Sequence, residues 1–441
     1  MHAILFHVGI GVMASFSRSS MFLYMIGVFA YFCWQIIIKK EKELYVLLAC
    51  AYFTGAEVFF RMTKAFIFYE TGKYAIMWFS LMGIFFLGFK KNSFPYVLYL
   101  LLLLPGVLVS FDLIAYDSNF RTAVLFNLSG PLCLSMASVF VFGRTITMNQ
   151  FLKVLDYIIY PLISTTIYIV LYSPDIREII TSTASNSAVS GGYGPNQVAT
   201  VLGLGVFILL TRLIIPYKNF LVQWTMMFFM VLMGYRALLT FSRGGVLVAG
   251  IMSVVFIVIF YFSTSLKNKA KISLKMIGLI AITMAIWSFT IFQTGGLIGN
   301  RYANEDALGR EKDDVTTGRV DLLSTELEAF KGSPILGVGV GQVKTYFEAE
   351  LGIDLPTHNE ISRMLSEHGL FGIFALLVLV FSPLITKMNG RKNIYFYPFL
   401  LFWGLTIAHS SMRIAAPAFI YALCLLNIDY APKKKTALHR K

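Results

Sequence analysis

Charged side chains are scarce in this chain. They make up 14% of its 441 residues, whereas hydrophobic residues make up 57% and the mean hydropathy is +0.72. Soluble domains usually carry about a quarter charged residues. The composition therefore excludes an ordinary soluble enzyme and predicts a protein that crosses a membrane several times.

Cysteines and metal-binding motifs are few as well. The four cysteines all fall within apolar runs and show no CxxC spacing, so neither a disulfide nor a cysteine metal site is indicated. HExxH and DxD motifs are absent, and the pair Glu348 and Glu350 is typical of a solvated helix face. We therefore expect no metal and no cofactor. The first apolar run has no basic leader or cleavage site and is expected to be a retained span.

Fourteen apolar runs have roughly the length needed to cross a membrane, and twelve to fourteen spans are plausible. The first pair and the last pair could instead be re-entrant or merged. The runs are 3–17, 21–38, 44–60, 74–89, 94–111, 122–142, 153–172, 196–211, 220–241, 244–263, 276–292, 369–386, 394–408 and 414–428.

The basic residues predict the orientation of these spans. If the amino terminus is cytoplasmic, the inner connections hold 21 of the 37 Lys and Arg residues and only two acids, Glu41 and Glu43. This asymmetry is what the positive-inside rule requires of short loops. The basic excess is therefore topological and does not indicate nucleic-acid binding. The tail at 431–441 is expected to be a cytoplasmic anchor facing anionic lipid.

The one long polar segment, residues 293–368, then lies outside. It holds thirteen acids and seven basic residues. We divide the chain accordingly into transmembrane helices at 1–292 (about eleven spans), a periplasmic catalytic loop at 293–368, carboxy-terminal transmembrane helices at 369–430 and the basic tail.

The first motif of the loop is TTGRVDLLSTELEAFKGSP. It predicts a short amphipathic helix with a Thr start, stops at Gly332 and Pro334, and an apolar face of Val320, Leu323, Leu327 and Phe330. Arg319 falls in its first turn, where a cation opposes the helix dipole unless an anion also binds there. This position suggests a bound phosphate, although a solvated surface arginine would show the same pattern.

The second motif is PTHNEISRMLSEHG, in which Thr357 and Glu360 have the spacing of a capping box. His358 would then be the first helical residue. The unpaired amides there, and a nearby arginine, would keep the imidazole neutral and able to accept a proton. We predict a general base, the alternative being a surface residue that caps the helix.

Three further segments carry candidate residues. The glycines of GSPILGVGVG lack the GxGxxG spacing of a nucleotide site and favour a close-packed turn. Arg236 and Arg243 in YRALLTFSRGG share a stripe if their helix is continuous, and a boundary arginine either marks a site or snorkels to the surface. Asn196 follows Gly194 and Pro195 where a loop enters a span.

Together these segments resemble the O-antigen ligase and O-antigen polymerase superfamily of bacterial inner membranes. The likeness rests on GPN at 194–196, TFSRGG at 240–245, the segment at 318–341 and HNEISRMLSEHGLFG at 358–372, in the order found in that family. Each motif is weak alone, and the amino-terminal half matches only in hydropathy. The resemblance implies an all-α polytopic bundle with one long, partly helical periplasmic loop.

The resemblance also implies a function. A glycan on undecaprenyl diphosphate would be transferred to an acceptor hydroxyl, such as one on the lipid A core, at the periplasmic face, with inversion and without a metal. Arg243 and Arg319 would bind the diphosphate and His358 would be the catalytic base. Arg236, Asn196 and Asn359 are secondary candidates. His368, His409 and Arg413 are expected to be structural.

Several alternatives stay open. A repeat-unit polymerase uses the same donor with another lipid-linked glycan as acceptor, and a protein O-oligosaccharyltransferase is a third variant. The HNE and SRGG patterns favour the ligase. A lipid flippase or transporter would also have twelve to fourteen helices with charged residues at midplane, but it would not need a 76-residue outer loop.

Overall fold

The computed structural model describes residues 1–113, 124–173, 175–312, 318–352, 357 and 359–430. These residues contain eighteen α-helices and two three-residue strands, so the predicted all-α class is confirmed. The helices are α1 His2–Phe16, α2 Ser20–Ile38, α3 Lys42–Met62, α4 Thr71–Leu87, α5 Phe94–Leu113, α6 Phe126–Val141, α7 Met148–Tyr172, α8 Ile176–Ile179, α9 Pro195–Ile214, α10 Phe220–Leu239, α11 Arg243–Phe262, α12 Leu266–Gln293, α13 Leu297–Ala303, α14 Arg319–Gly332, α15 Val343–Leu351, α16 Glu360–Met388, α17 Phe396–Ser410 and α18 Ala416–Cys424.

Nine of the described helices are long and apolar enough to cross a membrane, and three shorter apolar helices, α1, α4 and α6, accompany them. The chain is therefore a multi-pass membrane protein. Every predicted apolar run contains a helix. The last run contains only α18, whose nine residues rise roughly 14 Å and cannot cross a bilayer alone.

The centre of the bundle is formed by helices that are buried on nearly every side. In α3, almost every residue from Leu44 to Met62 is buried, and α9 and α18 are similarly enclosed. α1, α2 and α12 lie at the periphery, where many large apolar side chains are exposed. Exposed apolar residues on a spanning helix face lipid, since the hydrocarbon core solvates them as well as protein does.

The two strands join segments that are far apart in sequence. β1, Thr145–Thr147, pairs in parallel with β2, Asn427–Asp429, with Ile146 opposite Ile428. β1 belongs to the connection at 143–153, and β2 ends just before the tail at 431–441; the distribution of basic residues assigns both of these segments to the inner side. The ends of α6 and α18 are thereby joined opposite the long loop. The end of the bundle that carries residues 293–368 is called the loop side below.

α16 is broken near its start on the loop side. Gly369 has φ 57° and ψ −138°, which no helix contains. A Cβ added at Gly372 would lie 1.8 Å from the Met364 carbonyl oxygen, so the chain folds back sharply here. Residues 360–368 therefore form a separate outer segment, and the span begins after Gly369.

The glycine-rich stretch of the loop packs against this break. Gly337, Gly339 and Gly341 all have positive φ. A Cβ at Gly337 would lie 2.3 Å from the Glu367 carbonyl carbon, and the Val340 amide donates to the Gly106 carbonyl of α5 at 3.2 Å. The predicted close-packed turn is confirmed, since only glycine permits backbones to approach this closely.

Candidate functional site

Arg243 is the first residue of α11 and is half-buried on the loop side. α10 ends at Leu239, and Phe241 takes a left-handed conformation with φ 56° before Ser242 caps α11. The helix is therefore not continuous from Arg236 to Arg243, and the predicted shared stripe is wrong. The helix is interrupted because the backbone of Phe241 is left-handed, and a new helix starts at Arg243.

The two glycines after Arg243 let three helices meet. A Cβ added at Gly245 would lie 2.4 Å from the Ala199 carbonyl carbon of α9, and one at Gly244 would lie 2.4 Å from Cδ2 of the His409 ring in α17. Any larger residue would push these helices apart. The SRGG motif therefore fixes Arg243 between α9 and α17.

Asn196 joins the GPN motif to the same point. It is the second residue of α9, and its Oδ1 accepts a hydrogen bond from the Ser242 hydroxyl at 2.7 Å. Asn196 thus contacts Ser242, the residue before Arg243, and its secondary role in the site stays a prediction. Its contact with Ser242 holds the start of α11 in place.

Arg236 lies elsewhere. Its side chain is buried, and its guanidinium donates to the carbonyl oxygens of Ser173 at 3.3 Å and Val170 at 3.4 Å. These carbonyls lie at the end of α7, where helical partners are lacking. The structure thus gives Arg236 a helix-capping contact, and its predicted secondary role in the site stays a prediction.

Arg319 is the first residue of α14, as predicted, and follows Gly318, which caps the helix with φ 75°. Its side chain is largely exposed. Partial desolvation and then repulsion by Arg243 lower the pKa of Arg319. The two predicted arginines, 76 positions apart in the sequence, therefore lie close enough in the structure for their charges to interact.

A third arginine, Arg301, joins them and was not predicted. It lies in α13, and its Nε donates to the Phe241 carbonyl at 3.1 Å. Burial and then repulsion by Arg243 and Arg319 lower its pKa. Arg301 belongs to no recognised motif. The available sequence clue was its position shortly after a span, at the start of the polar loop.

α13 holds Arg301 in place through a small apolar cluster. Ile298 is fully buried against Leu239 and Phe241, and the Tyr302 ring meets Trp287 of α12 edge-on at 5.0 Å. Seven residues would not form a stable helix alone. Packing on α12 and on the 240–242 turn therefore stabilises α13.

His358 lies outside the described residues, but its neighbours are described. The predicted capping box is wrong: α16 begins at Glu360, and its N-cap is Asn359, whose Oδ1 accepts from the Ile361 amide at 2.9 Å. Asparagine is at least as good an N-cap as threonine, so Asn359 can take this position instead of Thr357. The helix then starts two residues later than predicted. Asn359 therefore has a capping contact, and its secondary role in the site stays untested.

The segment between α17 and α18 connects the two halves of the site. Arg413 Nη2 donates to the Thr357 carbonyl at 2.5 Å, directly before His358. His409, four residues earlier, packs on Gly244 beside Arg243, and its Nδ1 donates to the Leu405 carbonyl at 2.8 Å. Residues 409–413 therefore contact the SRGG motif through His409 and the residue before the HNE motif through Arg413.

Buried polar side chains of α3 and α4 position this segment. Lys73 Nζ donates to the Met412 carbonyl at 3.0 Å, Arg61 donates to the Arg413 carbonyl at 3.1 Å, and the Ala415 amide donates to Glu57 at 2.5 Å. Buried charges are tolerated where each is paired and hydrogen-bonded. The amino-terminal half, which carries no recognised motif, therefore supports the site.

The outer segment of α16 carries a buried ionic network. Arg363 pairs with Glu360 through Nη2 and with Glu367 through Nη1 at 2.7 Å, and Glu367 also accepts from the Gly341 amide at 2.8 Å. The i, i+3 and i, i+4 spacings could have predicted these pairs, but not their burial. The network connects the HNE helix to the glycine-rich turn.

Glu326 of α14 packs beside this network. It is 2% exposed, and one carboxylate oxygen accepts a short hydrogen bond from the Ser362 hydroxyl. Burial raises the pKa of Glu326 to about 7. The carboxyl group therefore keeps its proton to a higher pH than an exposed glutamate does. Within the described residues no group of three or more His, Cys, Asp or Glu could hold a metal ion.

Comparison with known proteins finds one family model that matches part of the chain. Residues 228–377 match the family model described as O-Antigen ligase. The matched third of the chain contains Arg243, Arg301 and Arg319, together with the HNE segment. No curated protein shows significant similarity to the chain. Over residues 228–377 the chain is therefore similar to the O-antigen ligase family.

Proposed function

We propose that this protein is an O-antigen ligase-like glycosyltransferase. It takes a glycan from undecaprenyl diphosphate and transfers it to a hydroxyl of an acceptor, the lipid A core, on the periplasmic face of the bacterial inner membrane. The observation that carries the proposal is the convergence of three arginines from separate elements within the matched family domain. Such a concentration of positive charge fits a ligand with several negative charges.

In this proposal Arg243 and Arg319 bind the diphosphate of the donor. Guanidinium groups bind phosphate oxygens through paired N–H donors, and each such contact contributes about 1.5–3 kcal/mol. Arg301 adds a third positive charge beside them. The same groups stabilise the departing diphosphate, whose negative charge grows as the glycosidic bond breaks.

His358 is the proposed general base. It takes the proton from the acceptor hydroxyl as that oxygen attacks the anomeric carbon, and the configuration at that carbon inverts. The diphosphate leaves with the electrons of the broken C–O bond. Thr357, held by Arg413, and Asn359, which caps α16, fix the backbone on either side of the histidine. The donor is already activated, so no nucleotide hydrolysis is needed.

The test is transfer in reconstituted membranes that contain undecaprenyl-diphosphate glycan and purified acceptor. We expect transfer without ATP and without added divalent metal, and we expect His358→Ala to reduce the rate by at least about a hundredfold, the usual contribution of a general base. His439→Ala in the basic tail is the matched control. Full activity of His358→Ala would remove the proposed base.

The polymerase alternative and the flippase alternative give different results in cells that lack the gene. Loss of all glycan ladders with retention of lipid-linked chains supports the ligase. Chains of a single repeat attached to the lipid A core support the polymerase. Lipid-linked glycan trapped on the cytoplasmic face supports a flippase.

A further inference from the structure

α14 has one face that packs on protein. Leu322, Thr325, Glu326 and Ala329 are buried and lie on one side of the helix, and Glu326 bonds Ser362 of the outer segment of α16. This is not the face that the sequence predicted. The predicted apolar face, which includes Val320, Leu323 and Leu327, is only partly covered by the rest of the described protein.

That second face, the apolar stripe of α14, consists of Val320, Leu323 and Leu327. Their exposed fractions are 57%, 36% and 37%. At 100° per residue these three side chains point to one side, next to the buried face. The neighbouring side, about 100° further round the helix, carries Asp321, Ser324 and Glu328, which are also exposed. The exposed part of α14 is therefore amphipathic.

The chain after α14 leads directly to lipid-facing surface. The Leu370 amide donates to the Pro334 carbonyl at 2.8 Å. Ile335 and Leu336 are 61% and 45% exposed beside it, while Leu370 and Phe374 at the start of the α16 span are 43% and 54% exposed. The exposed apolar surface at the end of α14 thus adjoins the part of α16 that faces the bilayer.

The break in α16 sets the direction of α14. Since the chain folds back at Gly369, the outer segment of α16 does not continue along the axis of the span. α14 lies alongside that segment, from the Glu326–Ser362 contact to the Pro334–Leu370 contact. A helix packed on a segment that has left the axis of the span can lie along the membrane surface.

We propose that α14 is an interfacial helix whose apolar stripe is buried in the lipid leaflet on the loop side. An amphipathic helix with one apolar and one acidic or polar side binds at this boundary because only its apolar side leaves water. The partner is bilayer lipid, and continuity with the lipid-facing surface of α16 is the reason for choosing it over another protein.

The proposal does not depend on the chemistry of the site, but it has a consequence for it. Helical geometry places Arg319 between the buried face and the apolar stripe of α14. A helix seated at the lipid boundary would hold this arginine at the depth of lipid phosphate groups. A diphosphate attached to a membrane-embedded polyprenol lies at the same depth.

The test measures contact with lipid and with water at single positions of the full-length protein in lipid bilayers. Spin labels are attached at Leu323→Cys and Leu327→Cys, with Ser324→Cys and Glu328→Cys as matched controls on the polar side. Collisions with oxygen, which concentrates in lipid, are compared with collisions with a water-soluble nickel complex. Protein without an added cysteine gives the background from the native thiols.

We expect the ratio of oxygen to nickel collisions to be several-fold higher at the two leucine positions than at the two controls. Equal ratios at all four positions would place the stripe in water and overturn the proposal. Leucine positions protected from both reagents would show that protein covers the stripe, which also overturns it. The spin-label experiment does not measure transfer of the glycan, so the proposed function is tested separately.

Discussion

Desolvation, and then repulsion between the neighbouring guanidinium groups of Arg243, Arg301 and Arg319, lower the pKa of Arg301 and Arg319. Bringing like charges together raises the free energy of the folded protein, and binding of an anion lowers it again. The sequence pointed to two of the three, because they lie in recognised motifs. It could not point to Arg301, whose place depends on how α13 packs.

Replacing a site arginine with lysine tests its role in binding. Arg243→Lys and Arg319→Lys keep the charge but lose the planar fork that binds phosphate through two N–H groups. We expect about tenfold weaker donor binding in each, equivalent to roughly 1.4 kcal/mol. Arg310→Lys is the control, since Arg310 is an exposed arginine of the same loop, paired with Asp306. Unchanged donor affinity in both variants would indicate that Arg243 and Arg319 extend to the water at the membrane surface and do not bind the diphosphate.

Glu326 gives the protein a pH-dependent stability. Its pKa rises from 4.5 to about 7 on folding, because burial disfavours the charged carboxylate. The folded state therefore binds this proton more tightly than the unfolded state, and stability is lost as pH rises from about 4.5 through about 7. We expect Glu326→Gln to flatten this loss, so that the variant gains stability relative to the native protein between pH 5 and pH 8.

The measurement is thermal unfolding of the purified protein across that pH range. Glu328→Gln is the control, because Glu328 lies on the exposed side of the same helix. A pH dependence that is identical in the native protein and in Glu326→Gln would show that the buried carboxyl group does not titrate in this range.

At the scale of elements, hydrophobic periodicity identified the helices but not what covers their faces. The pattern of Val320, Leu323 and Leu327 correctly predicted a helix that starts near Arg319 and ends at Gly332. The face buried against protein is a different one, because Glu326 bonds Ser362 of α16 and because Leu322 and Ala329 belong to an apolar cluster with residues 338–347. Apolar residues that share a face can be covered by protein or by lipid, and the sequence does not distinguish the two.

The contact between α9 and α11 offers a test at this scale. Gly245→Ala would place a Cβ 2.4 Å from the Ala199 carbonyl carbon, so the two helices must separate. We expect a loss of about 1–3 kcal/mol in stability and a reduced transfer rate, since Arg243 moves with α11. Gly250→Ala on the same helix is the matched control, because nothing lies within 4 Å of its Cβ.

Thermal unfolding and transfer rate are measured for both alanine variants. The idea that close packing fixes Arg243 would be wrong if Gly245→Ala matched Gly250→Ala in both measurements.

At the scale of the whole molecule, the structure groups the connections that the basic residues assign to one side. β1 and β2 join one of them to the chain just before the basic tail, and the loop side gathers the three arginines, the HNE helix and the 411–415 segment. The structure gives this grouping, whereas the absolute orientation stays a prediction from the distribution of Lys and Arg.

Labelling with a membrane-impermeant maleimide tests the orientation. Leu308→Cys lies in the long loop and is 77% exposed, and Lys392→Cys lies in the connection between α16 and α17 on the opposite side. In intact cells with a permeabilised outer membrane, we expect labelling at position 308 only, and at 392 after the inner membrane is opened. Labelling at position 392 but not at 308 in these intact cells would show that the predicted orientation is wrong.

The sequence by itself determined that the chain is a polytopic membrane protein, where the spans lie, which segment forms the long loop and which motifs carry Arg243, Arg319 and His358. These properties follow from local composition and spacing, which do not depend on packing. Only the tertiary structure decided that Arg301 lies near Arg243 and Arg319, that Arg236 caps α7 and that Glu326 is buried. Each of these depends on contacts between residues far apart in the chain, and such contacts leave no local pattern in the sequence.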